Sequence, residues 1–111
     1  MQQVIYVTAI PVREGSVDDA IAAIRANLEA SHGEDGVDLM ALHRDLDRPD
    51  RLVVVEIFRS QEDYQRHMAT PHVGAVMAAL GPILAGDVDA MRLEAVPVGD
   101  PRKGSLAPGP T

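Results

Sequence analysis

Two stretches of this chain, Val4 to Val12 and Leu52 to Phe58, are apolar on both of their alternating faces, and this pattern restricts the fold more than any other. In the first, Tyr6, Thr8 and Ile10 fall on one face while Ile5, Val7 and Ala9 fall on the other. A strand of this kind has to be covered on both sides, yet 111 residues supply material for one modest core. A second copy of the chain is the natural source of the missing cover, so a homodimer is expected.

The remaining pattern places these strands in a definite order. Ser16 with Asp19 three residues on has the spacing of a capping box, and Val17, Ile21, Ile24 and Leu28 then recur at helical intervals, predicting a helix from Val17 to Ser31. Gly33-Glu-Asp-Gly36 ends that helix. Val37 to Arg44 follows as a strand with Val37, Leu39, Ala41 and His43 on one face and Met40, Leu42 and Arg44 on the other. Turn chemistry at Asp47-Arg-Pro-Asp50 returns it as a hairpin into Leu52 to Phe58. Ser60 and Asp63 repeat the capping spacing before a short helix carrying Tyr64, His67 and Met68 on one side. Thr70-Pro71 then breaks the helix and starts another, since proline suits a first helical position and cannot continue the preceding turn. Its apolar stripe is Val73, Val76, Met77, Leu80 and Leu84. Val88 to Val96 reads as the last strand. The order β-α-β-β-α-β is the ferredoxin-like α+β arrangement, an antiparallel sheet with both helices on one face. Residues 1–96 are expected to form the domain, and the Pro- and Gly-rich residues 97–111 a disordered tail.

Composition removes several classes of function. A net charge of −7 and only three aromatic residues, none of them Trp, disfavour nucleic acids and anionic membrane surfaces as partners. Without cysteine there is no disulfide, thiolate metal site or thiol nucleophile. The uncharged run from Val73 to Gly86, interrupted by Gly81-Pro82, is shorter than the roughly 20 residues a bilayer requires. The start has neither a basic segment nor an uninterrupted apolar one, which makes a cytoplasmic location the expectation.

Chemistry is therefore left to histidine and carboxylate. His67 lies at the border between the polar and apolar sides of its helix, where a neutral imidazole could accept a phenolic proton near pH 7; bracing the helix break is the structural alternative. Glu56 interrupts an otherwise dry strand, and a buried carboxylate is costly without a partner; His67, Arg44, Arg92 or a residue of a second chain are the candidates. His72 stands in the first turn of its helix and His43 on a strand whose facing the pattern leaves open. His67 and His72 are five apart across a proline, so no dedicated metal site is expected from spacing alone. Beneath the second helical stripe, Val73, Met77 and Leu80 with Tyr64 could line an apolar cleft, with the small residues Gly74, Ala75, Ala78 and Ala79 leaving room for a flat ring.

The segment from Glu56 to Val73, with a strand Glu ahead of a His and a Pro-His pair, resembles the signature of the antibiotic biosynthesis monooxygenase family of small dimeric α+β barrels. The resemblance covers about residues 4–96. It implies two protomers joined sheet to sheet, and a pocket with His67 at its mouth supported by Glu56. His43, Tyr64, His72, Val73, Met77 and Leu80 would contact substrate. The family includes cofactor-independent quinol monooxygenases, haem-degrading oxygenases and a sugar-phosphate isomerase. Its haem-degrading branch carries Trp where this chain has His67 and a ligating His near Met77, so haem chemistry is not implied. The tetracenomycin- and actinorhodin-type oxygenases also position their substrates with Trp and Asn, and this chain has no Trp. The expected activity is cofactor-free oxidation of a small hydroquinone or phenolic substrate by O2, with neither flavin, haem nor metal. No G-x-G-x-x-G loop is present to hold a nucleotide. The alternatives are a non-catalytic or stress-related dimer that binds a small molecule, and an isomerase, which would need arginines facing the pocket.

Overall fold

The computed structural model describes residues 2–106, and Ile57 at 1% and Phe58 at 0% exposure mark the centre of its sheet. The elements are β1 (Val4–Pro11), α1 (Val17–Ser31), β2 (Val37–Arg44), β3 (Arg51–Phe58), α2 (Gln61–Met68), α3 (Pro71–Leu80), a single 3-10 turn (Gly81–Ile83) and β4 (Asp89–Leu93). The sheet is antiparallel in the order β2-β3-β1-β4. This is the ferredoxin-like arrangement, with β1 and β3 paired in the middle.

Register divides the side chains into two faces. Met40, Glu56, Tyr6 and Arg92 form one row across all four strands, and Leu42, Val54, Thr8 and Ala90 the next. These rows face the helices, and with Ala20, Ile24 and Leu28 of α1 and Leu80 of α3 they enclose the core. Alternation sends the rows between them the other way: Leu39, Ile57, Ile5 and Leu93, then Ala41, Val55, Val7 and Met91. That second face is apolar, and Leu39, Met91 and Leu93 on it are exposed.

Three local expectations are corrected. A bulge between Val37 and Leu39 turns Val37 toward the helices, where it packs on the core, while Leu39, Ala41 and His43 keep the opposite face. Gly15, at φ 85°, leads into Ser16 with φ −109° and ψ 6°, so the Ser16 hydroxyl makes no cap; Ser60 is extended and its hydroxyl does accept from the Asp63 N–H at 3.2 Å. Thr70 precedes Pro71 as expected, but its hydroxyl donates back to the His67 carbonyl at 2.7 Å, closing α2 rather than opening α3. The last strand, expected over Val88 to Val96, is shorter, its pairing with β1 running only from Asp89 to Leu93. Beyond it no helix or strand forms among the described residues. Asp100 accepts a turn at Lys103 and Gly104, and the end of the expected tail, 107–111, lies outside the described residues.

The loop between α1 and β2 is fixed by a close approach. Asp63 is buried, accepts from Arg59 at 3.0 and 3.2 Å, from the Ser60 hydroxyl at 2.9 Å and from Arg66, and these partners, Arg59 foremost, hold its carboxyl below the usual range. Gly36 passes directly over it, with the Gly36 carbonyl accepting from the Arg59 N–H at 2.9 Å. A Cβ on Gly36 would collide with Asp63 Cβ and lie 2.6 Å from Oδ1. Gly36→Ala is therefore expected to lower unfolding stability by about 1–3 kcal/mol through overpacking, measurable by urea denaturation against wild type. Glu34, two residues earlier, should lose its position in the same variant.

Candidate functional site

A cavity of about 360 Å³ lies between the helix-facing side of the sheet and helices α1, α2 and α3. Its floor is Tyr6, Thr8, Val54 and Glu56, and its walls include Asn27, Leu28, Tyr64, His67, Val73 and Leu80. Met77, 57% exposed, stands on the rim. The other expected wall residues of the Val73–Leu84 stripe are here too: Val73 and Leu80 are buried, and Val76 and Leu84 pack beside them. A wider polar groove along Gln2, Gln3, Gln61, Arg92 and Glu94 runs over the sheet edge, open to solvent and without a buried titratable group.

The three aromatic residues of the chain meet at one end of the cavity. Tyr6 and Tyr64 stack at 4.1 Å between centroids, Phe58 meets both edge-on, and His67 lies 5.1 Å from Phe58. This cage orients the His67 ring, which is 3% exposed. Its Nδ1 lies 2.9 Å from Glu34 Oε2, and its Nε2 makes no hydrogen bond to a described residue. With the proton on Nδ1 donated to the carboxylate, Nε2 carries a free lone pair. Burial pushes the Glu34 carboxyl upward, but its bonds to His67 and His72 and the attraction of both imidazoles outweigh burial, so it stays below its ordinary 4.5.

Two expected substrate contacts stand elsewhere, and Glu56 has a different partner. His43 is exposed on the far face of the sheet beside Val53, because the strand alternation that points Leu42 at the helices points its neighbour away. His72 is not among the residues of this cavity; its Nε2 lies 2.9 Å from the same Glu34 oxygen. Glu56 makes no hydrogen bond to His67. It shares a hydrogen bond with Thr8, while Arg92 bonds Gln61 and Arg44 is exposed on β2.

Two site residues escaped the sequence reading. Glu34 sits in Gly33-Glu-Asp-Gly36, a stretch with the composition of a plain turn, and only the approach of α2 brings it to a histidine. Asn27 could have been noticed as the polar residue between Ile24 and Leu28 on the buried side of α1. Its side-chain oxygen is buried with no hydrogen-bond partner among the described residues, and the residue lines the cavity.

Burial pushes the Glu56 carboxyl up to about 7, the Thr8 hydrogen bond pulling the other way. The folded chain thus holds this proton more tightly than the unfolded one. The cost of Glu56 to stability is absent below about 4.5, grows as pH rises toward about 7 and is complete above it. Its full size is on the order of 3 kcal/mol. Unfolding titrations of wild type and Glu56→Gln from pH 4 to 8 should show the wild type losing stability relative to the variant across that window.

The family profile described as antibiotic biosynthesis monooxygenase matches residues 3–79. Among solved structures, a Nitrosomonas europaea protein assigned as an antibiotic biosynthesis monooxygenase superposes with a TM-score of 0.83 at 19% identity, covering 86% of this chain and 91% of its own. A Caulobacter crescentus CB15 protein with the same assignment gives 0.81 at 22%, with 86% and 91% covered, and a conserved protein from Methanosarcina mazei Go1 gives 0.81 at 16%, with 85% and 93% covered. At such identities these structures establish the fold alone. No curated protein sequence matches. The profile spans well over half of the chain, including β1, the Glu56 to Val73 segment and nearly all of α3, and on that match the protein belongs to the antibiotic biosynthesis monooxygenase family.

Proposed function

We propose that this protein is a monooxygenase that oxidises a small hydroquinone or related phenol with O2, using His67 as the base. The observation that carries the reading is an imidazole whose Nδ1 is bound to a carboxylate, set in the wall of a largely apolar cavity of about 360 Å³. In the reaction His67 Nε2 takes a phenolic proton. The anion passes one electron to O2, and the radical pair joins to form a bond between a ring carbon and oxygen. Loss of the ring proton and scission of the O–O bond then give the hydroxyquinone and water, His67 returning its proton to the leaving oxygen. All four electrons come from the substrate ring. The apolar walls shield the charged and radical species from water.

Other polar groups of the cavity wall can meet the second hydroxyl of such a ring. Glu56, with its carboxyl at about 7, can donate or accept near neutrality, and the unpartnered Asn27 oxygen can accept. The lining contains neither Arg nor Lys, which favours an uncharged phenol over the phosphorylated sugar of the isomerase alternative. Oxygen uptake with a panel of substituted hydroquinones should exceed the uncatalysed rate. His67→Ala should lower kcat by about 10²–10⁴-fold and Glu34→Gln by less. Equal uptake by wild type and His67→Ala on every substrate would leave a binding protein instead.

The far face of the sheet supports a dimer. Leu39, Ile57, Ile5 and Leu93 cross all four strands as one apolar row; Ile5 and Ile57 are buried within the chain, whereas Leu39 and Leu93, with Met91 beside them, are exposed, and a second sheet packed face to face would cover them. No helix among the described residues is long and apolar enough to cross a membrane. Sedimentation at micromolar concentration should give twice the 11.9 kDa chain mass, and Val55→Glu on that face should give the monomer.

A further inference from the structure

Glu34, His67 and His72 carry a feature that the oxygenase reading does not use. Both imidazoles address the same oxygen, Oε2, each at 2.9 Å, through Nδ1 of His67 and Nε2 of His72. A carboxylate that only accepts hydrogen bonds can spread its donors over two oxygens. Here Oε1 has no hydrogen bond to a described residue, and three potential ligand atoms converge within 4.8 Å of one another. Adjacent ligand atoms around a tetrahedral ion with bonds near 2.0 Å lie about 3.3 Å apart, so the two short separations need to open by a few tenths of an ångström while the two imidazole nitrogens, which lie within 4.8 Å of each other, settle to the same spacing, a movement left to the partly exposed His72 ring.

We propose that Glu34, His67 and His72 form a binding site for a divalent first-row transition metal of the Zn²⁺ type, with a fourth position open to water. Two nitrogen ligands and one carboxylate match the donor set that imidazole-preferring ions take. The chain break at Thr70–Pro71 is what makes the site, because it frees His72 from the helical register of His67. Entry is from outside the cavity: His72 and Glu34 are about one-quarter and one-fifth exposed, while His67 is buried behind them. Metal at Nδ1 obliges the His67 proton to sit on Nε2, so the loaded protein lacks the lone pair that the proposed oxidation requires. The site therefore doubles as a means of inhibition by metal.

The test needs no substrate. Untagged protein stripped with a chelator is titrated calorimetrically with Zn²⁺, and Co²⁺ is added in parallel to read the visible absorption of its ligand field. One ion per chain at micromolar affinity or tighter is expected, with binding at least tenfold weaker in both Glu34→Gln and His72→Ala, and intense Co²⁺ bands of tetrahedral type in wild type only. His72 is partly exposed, so that variant keeps the fold, checked by circular dichroism. Wild type that takes up no ion saturably, or uptake that is unchanged in the two variants, would overturn the site and leave the three groups as a hydrogen-bonded brace. Either result is independent of whether hydroquinones consume oxygen.

Discussion

The approach of Gly36 to Asp63 is the contact on which the rest of the site depends. Asp63 is buried and ionised because Arg59, Ser60 and Arg66 all donate to it, so its position is over-determined. The absence of a side chain at Gly36 lets the loop after α1 lie against it. That loop carries Glu34 to α2, and Glu34 in turn sets the tautomer and angle of His67. A glycine and a salt bridge outside the cavity thus decide where the free ring nitrogen of His67 points.

Electrostatics divides the labour of two carboxylates in the same way. Glu34 lies near the surface with two imidazoles and remains an anion that orients them. Glu56 lies under the helices with a single hydroxyl partner, and burial keeps it close to neutrality. One carboxyl serves as a fixed charge and the other as a proton-sharing group, although both are glutamates a short distance from the same cavity.

Much of the fold was legible because its elements are written in periodicity. α1 and β2 match their predicted bounds, and the Thr70–Pro71 break follows from the proline alone. The bulge at Val37 was not legible, since one extra residue in a strand leaves no mark on composition. The walls of the cavity were readable from the Val73 to Leu84 stripe, with Tyr64 and His67. Its electrostatics were not: sequence distance hides that Glu34 is 33 residues from His67 and 38 from His72 yet bonded to both. Pattern reports which face a residue occupies, while pairing between charged groups depends on how loops cross.

The interruption between α2 and α3 has a mechanical result. His67 and His72 grip one oxygen from two separate rigid pieces, the first anchored through Asp63 and the second packed on α1. The Glu34 carboxylate therefore ties the two helices together across the Thr70–Pro71 break.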